Sequence, residues 1–206
     1  MNDTSPRIFD ASELVLATHN QGKVKEIRAR LDGRDVEVFN AGDLGLDEPE
    51  ENGVTFEENA TIKALAAAKA TGKISLADDS GLAVSALNGA PGIYSARWAG
   101  AGKDFKVAMQ RVYDEIQASA TPDNMDAAFV CVIALAWPDG HVELVRGECN
   151  GTLTWPIRGA DGFGYDPMFV PHGHSETFGE MDFDTKQTMS HRKIALDQIF
   201  VKCFTI

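Results

Sequence analysis

The 206-residue sequence lacks the features that would place it in several large protein classes. It has three cysteines, an odd number with no Cys-x-x-Cys pair, which argues against a disulfide scaffold or a zinc site. Its longest unbroken apolar run, Ala127 to Trp137, is too short to cross a bilayer as a helix. The N-terminal residues show no basic and then apolar signal pattern. We therefore expect a reduced, cytoplasmic protein with no membrane contact.

Basic residues are also scarce. The 19 lysines and arginines face 31 acidic residues, which gives a formal net charge of −12. A field of that sign repels nucleic-acid backbones, so we expect no nucleic-acid partner. A small anionic ligand remains compatible with this charge if a metal ion and a few local cations offset it. The sequence also contains neither a Walker A loop nor a G-x-G-x-x-G motif, and neither a P-loop nor a Rossmann cofactor is supported.

The remaining pattern predicts an α/β protein, with residues 1–206 forming a single domain and residues 1–12 a loose tail. Strands and helices alternate in the first half, and a long hairpin follows, so a mixed sheet with flanking helices is favoured over a parallel one. The predicted strands are 13–17, 36–39, 74–77, 82–87, 127–137 and 142–148. The predicted helices cover 24–31, 59–70, 105–116 and the residues that follow Ser190. Thr55-Phe-Glu-Glu58 has the form of a capping box before the second helix, Gly72 is expected to end that helix, and Ser190 is the expected N-cap of the last one.

A polar segment, Thr18-His-Asn-Gln-Gly-Lys23, lies between the first predicted strand and the first predicted helix. This position turns free backbone N–H groups and the positive end of a helix toward an anion. Gly22 permits a close approach, and Lys23 adds a charge. The local chemistry is compatible with a phosphate-binding loop, and equally with a polar turn between two elements.

Two acidic segments could bind a metal ion. Asp78-Asp79-Ser80-Gly81 is predicted as a turn between two strands, and its adjacent carboxylates would point to different sides. Glu48-Pro-Glu-Glu51 could supply a further oxygen ligand from a loop. Magnesium prefers oxygen ligands and is often held by one or two carboxylates together with substrate phosphates. Taken alone, each segment is better explained as an ordinary acidic surface than as a metal site.

Aromatic and basic residues near the C-terminus form a third group of candidates. Gly159 to Asp166 resembles a ligand-shaping loop in which Phe163 could stack on a purine, although Phe163 and Tyr165 could also fill the core. Ser190-His191-Arg192 opens the last helix, where the helix dipole disfavours cations unless an anion or acceptor offsets them. Lys186 precedes it and is a possible phosphate contact.

In this order, the segments resemble the inosine triphosphate pyrophosphatase family, also called XTP/dITP diphosphatases or non-canonical purine NTP pyrophosphatases. The resemblance covers about residues 13 to 200. The matching segments are Leu16-Ala-Thr-His-Asn-Gln-Gly-Lys-Val-Lys-Glu26, Glu50-Glu-Asn-Gly-Val-Thr-Phe56, Glu58-Asn-Ala60, Ala77-Asp-Asp-Ser-Gly-Leu82, Gly89-Ala-Pro-Gly-Ile-Tyr-Ser-Ala-Arg97, Phe163-Gly-Tyr-Asp-Pro167 and Ser190-His-Arg192.

The resemblance implies hydrolysis of ITP, dITP or XTP to the monophosphate and pyrophosphate, with Mg²⁺ as cofactor. It implies a long central mixed sheet with two lobes around a nucleotide cleft, and a homodimer. Glu51 and Asp79 match the metal ligands, Asp79 also matches the catalytic proton acceptor, and Asp78 supports it. The other matching positions, to which the resemblance assigns substrate binding, are Thr18, His19, Asn20, Gln21, Gly22, Lys23, Ser80, Phe163, Gly164, Tyr165, Asp166, Lys186, His191 and Arg192.

Position 19 departs from the family pattern, because His stands where Gly or Ser is more usual. Two other functions remain open at this point. A related septum-inhibition-type pyrophosphatase would prefer pyrimidine or modified nucleotides, and the Ser-His-Arg and Phe-Gly-Tyr-Asp segments argue against it. A nucleotide sensor without activity would bind nucleotide and form no product.

Overall fold

The computed structural model describes residues 5 to 204, apart from the side chain of Gln21. Within these residues, six strands form a mixed sheet in the order β2-β1-β3-β4-β5-β6, in which β1 runs parallel to β2 and β3, and β5 antiparallel to β6. The strands are β1 (Glu13–Leu16), β2 (Glu37–Asn40), β3 (Ser75–Val84), β4 (Asp126–Ala136), β5 (Val142–Leu153) and β6 (Phe169–Pro171). The predicted α/β mixed sheet is confirmed.

Helices flank these strands, and their ends follow local capping chemistry. They are α1 (Gln21–Leu31), α2 (Phe56–Thr71), α3 (Ser95–Trp98), α4 (Phe105–Gln117), α5 (Phe183–Met189) and α6 (His191–Cys203). The hydroxyl of Thr55 accepts the N–H of Glu58 and starts α2, and Gly72, with a left-handed φ of 66°, ends it. The hydroxyl of Ser190 accepts the N–H of Lys193 at the start of α6. All three caps agree with the sequence prediction.

The prediction of an acidic turn at 78–81 is wrong. Asp78 to Gly81 lie inside β3, which continues from Ser75 to Val84 without interruption. Aspartate and glycine disfavour strands, so local preference alone predicts a break there. Asp78 and Asp79 are nevertheless buried, and the contacts described below hold their carboxylates in place. Tertiary pairing therefore outweighs the local preference.

The register of β1 against β3 places the polar loop next to the aspartates. Leu16, the last residue of β1, lies opposite Leu76, and the N–H of Ala17 donates to the Leu76 carbonyl at 2.8 Å. The chain leaves the sheet after β1 just where β3 runs on toward Asp78. Because β1 connects to β2 on one side and lies beside β3 on the other, this is a topological switch point, where α/β sheets commonly bind ligands.

The chain divides into two compact units, whose boundaries fall within β3, β4, β5 and α6. Unit 1 comprises residues 1–79, 132–146 and 195–206, and unit 2 comprises residues 80–131 and 147–194. Within the described part of unit 1, β1, the inner faces of α1 and α2, and the end of α6 are buried. Unit 2 has a core in which Val112 and Ile116 of α4 join Phe129, Phe169 and Phe178.

Part of the segment predicted as a loose tail is anchored within unit 1. The ring of Phe9 is buried and stacks on Phe204 at 4.7 Å, and Arg7 donates its backbone N–H to Glu143 at 2.9 Å. Residues 1–4 of that predicted tail lie outside the described residues. Among the described residues, none of the helices has the length and hydrophobicity needed to cross a membrane.

Candidate functional site

The polar loop after β1 is organised by the side chain of Asn20. Its carboxamide oxygen accepts the N–H groups of Gly22 and Lys23 at 2.9 and 3.2 Å, which makes Asn20 the N-cap of α1. The N–H of Asn20 itself bonds to the Thr18 hydroxyl at 3.2 Å. Three N–H groups expected to be free for an anion are thus engaged within the loop. The His19 side chain is exposed, and that of Gln21 lies outside the described residues.

Lys23 reaches from the first turn of α1 to the strand β3. Its ammonium contacts both carboxylate oxygens of Asp78, at 2.8 and 2.7 Å, and both side chains are largely buried. The predicted phosphate contact and the predicted supporting aspartate therefore form one ion pair. Charge-assisted contacts of this kind are short and directional, so Asp78 fixes the position of the Lys23 ammonium beside the loop.

Asp79 pairs with a different lysine, Lys63 of α2. The Lys63 ammonium lies 3.1 Å from Oδ1 of Asp79 and 2.6 Å from Oε1 of Glu51. Adjacent residues of a strand point to opposite faces, which explains why Asp78 meets α1 and Asp79 meets α2. The two predicted metal ligands, Glu51 and Asp79, are thus brought together on one cation.

Asp79 has an unusual electrostatic environment for an aspartate. Burial raises the pKa of its carboxyl group, and the nearby Glu51 and Asp78 raise it further, against the opposing attraction of Lys63. Its Oδ2 is buried and has no hydrogen-bond partner. An unpaired buried carboxylate oxygen is costly, and such costs are commonly retained at functional sites. Asp79 therefore combines a raised pKa with an unused acceptor.

These residues fit a divalent cation with oxygen ligands. Glu51 and Asp79 already share one cationic partner, and Oδ2 of Asp79 has capacity for another. Between residues 5 and 204, no group of three or more His, Cys, Asp or Glu side chains is arranged to hold a metal. Magnesium needs only one or two protein carboxylates, because water and phosphate oxygens supply the remainder. The donor set suits magnesium better than zinc.

In unit 2, the loop that contains Phe163 presents one aromatic ring and buries the other. Phe163 is 69% exposed and rests edge-on against Phe105, with ring centroids 4.9 Å apart. Tyr165 is 2% exposed and donates its hydroxyl to the Ser95 carbonyl at 2.9 Å. Burial raises the pKa of that hydroxyl. Phe163 is therefore available to a flat ligand, whereas Tyr165 is a core residue whose backbone alone could contact one.

The buried carboxylate of Asp166 stabilises this loop. Its Oδ2 accepts both the N–H of Phe163 and the ammonium of Lys186. Lys186 also lies over the Phe178 ring, 5.3 Å from its centroid. Gly164 has a φ of 70°, in the left-handed region that favours glycine. Asp166 and Lys186 thus form an internal pair that shapes the loop, a role the sequence did not indicate.

The start of α6 supplies the remaining candidates. The His191 ring stacks on Phe129 with centroids 5.0 Å apart and planes 14° from parallel, and Arg192 follows it, half-buried. Ser80 comes directly after Asp79 in β3 and is also half-buried. The stacking fixes the orientation of the imidazole, so the first turn of this helix offers a rigid polar edge.

Lys63 is the main functional residue that sequence reasoning missed. It lies in the alanine-rich helix α2, and its side chain is only 16% exposed. A lone lysine among alanines resembles an ordinary helix-surface residue. The alanine-rich sequence of α2 does indicate a helix that is largely buried, and a lysine in such a helix needs an anionic partner.

Comparison with known proteins identifies the family. A model of the Ham1 family matches residues 14–202, and the chain belongs to this family. It is 54% identical over 201 residues to a dITP/XTP pyrophosphatase of Rhodospirillum centenum, covering 98% of this chain and 99% of the relative. It is 53% identical over 193 residues to one of Caulobacter vibrioides, covering 94% and 98%. The resemblance found from the motifs is confirmed.

Solved structures agree with the fold. A HAM1 protein from Coxiella burnetii aligns with a TM-score of 0.88 and 38% identity, covering 93% of this chain and 98% of that one. A nucleoside-triphosphatase, or dITP/XTP pyrophosphatase, from Mycobacterium abscessus aligns with a TM-score of 0.78 and 37% identity, covering 91% and 97%.

Proposed function

We propose that this chain hydrolyses the triphosphates of hypoxanthine and xanthine, ITP, dITP and XTP, to the monophosphate and pyrophosphate. The observation that carries the proposal is that the carboxylates of Glu51 and Asp79 both contact the Lys63 ammonium. Asp79 lies in β3 just past the point where the neighbouring strand β1 ends and the Thr18–Lys23 loop begins. The identity of more than half of its positions to dITP/XTP pyrophosphatases supports the substrate class. Removal of such nucleotides would cleanse the nucleotide pool.

Glu51 and Asp79 would hold the magnesium ion, with phosphate and water oxygens as its other ligands. When bound, magnesium would lower the pKa of a coordinated water and offset phosphate charge. Lys63 would keep the two carboxylates close together while their charges repel. Asp78 would act on the phosphate loop through Lys23.

The reaction requires a water oxygen to attack the α-phosphorus in line with the bridging oxygen to the β-phosphorus. Asp79 would accept the proton of that water, for which its unpartnered Oδ2 and raised pKa suit it. The bond from the α-phosphorus to the bridging oxygen breaks, and pyrophosphate leaves with that oxygen. Lys23 and the N-terminus of α1 would stabilise the negative charge that develops on the phosphates.

Selectivity for the base would come from two side chains, Phe163 and Arg192. Phe163 offers an exposed face for stacking, and Arg192 can donate hydrogen bonds to the 6-keto oxygen of hypoxanthine or xanthine. The 6-amino group of adenine would meet Arg192 donor to donor. A buried mispaired donor costs about 1–3 kcal/mol, which corresponds to roughly tenfold to a hundredfold in selectivity.

We also propose that the protein is a cytoplasmic homodimer, as the family resemblance implies. Light scattering coupled to size-exclusion chromatography would measure its mass. A mass equal to one chain, at concentrations where activity is full, would overturn the dimer.

The test of the reaction is product analysis in ¹⁸O-labelled water. Purified protein with magnesium and ITP should form inosine monophosphate and pyrophosphate, with the label in the monophosphate. Label in pyrophosphate would place the attack at the β-phosphorus, and formation of diphosphate and orthophosphate would refute the proposed chemistry. ATP under the same conditions is the matched control and should react much more slowly.

A further inference from the structure

Asn59 of α2 is a buried amide that neither helix capping nor core packing accounts for. Its side chain is 0% exposed, its Oδ1 accepts the N–H of Gly53 at 2.9 Å, and its Nδ2 is buried without a hydrogen-bond partner. A buried amide that is only half satisfied is costly. The N-cap of this helix is Thr55, so Asn59 is not needed to start α2.

The backbone of Gly53 lies directly against the Asn59 side chain. A Cβ at position 53 would lie 2.6 Å from Oδ1 of Asn59 and 2.7 Å from Cβ of Glu58, closer than real Cβ atoms come to such atoms. The backbone of Gly53 can approach α2 because it has no side chain. The adjacent N–H of Val54 donates to Oε2 of Glu58 at 2.5 Å, so two consecutive N–H groups are fixed on the first turns of α2.

Glu51 lies two residues before this attachment and belongs to no helix or strand. Its carboxylate contacts Lys63, which is four residues after Asn59 and hence on the same face of α2. One helix face therefore holds the acidic segment at two points, the backbone at Gly53 and the carboxylate at Glu51. Both bonds are part-buried, but the Asn59 side chain is 0% exposed whereas that of Glu51 is about one-third exposed.

We propose that Asn59 is a positioning residue, which acts through Gly53 to hold Glu51 where it can bind the divalent cation. This inference rests on the proposed function. The amide contacts neither substrate nor cation. It restricts the loop so that Glu51 stays beside Asp79, and its loss leaves both carboxylates intact but lets Glu51 move.

The experiment measures magnesium binding by the magnesium-dependent rise in Tm and by the magnesium concentration for half-maximal turnover. Asn59→Ala should weaken apparent magnesium affinity about 10–100-fold, the usual effect of losing a group that orients a metal ligand. The turnover at saturating magnesium should change much less. Gly53→Ala keeps the donating N–H, but its Cβ would clash with Oδ1 of Asn59 and displace the backbone from it. This variant should act in the same direction and keeps the test available if Asn59→Ala does not fold.

A double-mutant cycle with Glu51→Gln separates positioning from general damage. In the Glu51→Gln background, Asn59→Ala should weaken magnesium binding little further, because the residue it positions no longer carries charge. Thr55→Ala is the matched control, since it weakens the same helix end and leaves the Gly53–Asn59 bond in place. Wild-type magnesium affinity in Asn59→Ala, or an equal loss in both backgrounds, would overturn the inference. A wild-type protein with no magnesium effect would instead overturn the proposed function, and this inference with it.

Discussion

The two carboxylates that face Lys63 predict a specific dependence of stability on that lysine. In Lys63→Met the apolar part of the side chain is retained, but the ammonium shared by Glu51 and Asp79 is lost. Two acidic groups would then remain together, one of them deeply buried. The variant should therefore be destabilised in the absence of divalent cations.

The size of the effect follows from the burial of the three groups. The side chains of Lys63 and Asp79 are 16% and 11% exposed, so their contact behaves as a buried pair, whose disruption costs about 3–5 kcal/mol. The Glu51 side chain is 32% exposed, and its contact adds roughly 0.2–1 kcal/mol at most. We expect a total near the lower end, about 3 kcal/mol. For a chain of this length that lowers Tm by roughly 6–12 °C.

Differential scanning calorimetry in a chelator, and again with excess magnesium, measures this effect. Lys69→Met is the matched control, because Lys69 lies on the exposed side of the same helix and should change stability by at most about 0.5 kcal/mol. Magnesium should restore part of the Tm lost in Lys63→Met, since it would replace the missing positive charge. An equal Tm in the two variants would refute the assigned ion-pair geometry.

The pH dependence of the stability loss in Lys63→Met provides an independent check of this prediction. Burial lowers the pKa of Lys63, but its acidic neighbours Asp79, Asp78 and Glu51 raise it to a value above 10.5. The stabilising contribution of Lys63 is therefore full below pH 10.5 and is lost as the pH rises through the folded pKa. The pKa of Asp79 is also raised, so its contribution is full below its unfolded value of 3.8 and is lost as the pH rises through the folded value. The penalty of Lys63→Met should therefore shrink as acid protonates Asp79. A penalty that grows in acid would contradict the argument.

Three further predictions concern unit 2. Arg192→Ala should lower the ratio of kcat/KM for ITP over ATP by about tenfold or more, and an unchanged ratio would assign base reading to another residue. Phe163→Ala should raise KM for ITP, because it loses a stacking interaction of about 1–3 kcal/mol with the base. Calorimetry should show little change in Tm, because the ring is 69% exposed. Tyr165→Phe should show the opposite pattern, losing about 1 kcal/mol of stability with the Ser95 bond and leaving KM unchanged. A large KM effect in Tyr165→Phe would place its hydroxyl in the binding site.

Much of the fold could be predicted from periodicity and capping. Thr55 and Gly72 bound α2 as expected, and the apolar run after Ala127 forms the long strand β4. The alternation of elements indicated a mixed sheet correctly. These features are encoded within a few residues of one another, so a single sequence suffices to find them.

The site was less accessible to prediction because its contacts join distant positions. Asp78 and Asp79 lie within a strand, and the lysines that pair with them, Lys23 and Lys63, are 55 and 16 residues away in sequence. Periodicity carries no information about such pairs. The individual carboxylates and the loop could be named, but the shared lysine could not.

The two aromatic rings of the loop that contains Phe163 show the same limit of prediction from sequence. Phe163 and Tyr165 are two residues apart and equally aromatic, so either could have filled the core. Tyr165 is buried in the core of unit 2 and donates its hydroxyl to the carbonyl of Ser95, 70 residues away, and local sequence does not encode such a contact.

The most direct test of the account is the turnover of Asp79→Asn with ITP and magnesium, measured by pyrophosphate release. The amide keeps the shape of the carboxylate but removes its charge and its ability to accept a proton. Turnover should fall by about 10²–10⁴-fold, with an unchanged circular dichroism spectrum and no magnesium-dependent rise in Tm. Near wild-type turnover in a folded Asp79→Asn protein would contradict the role assigned to this carboxylate.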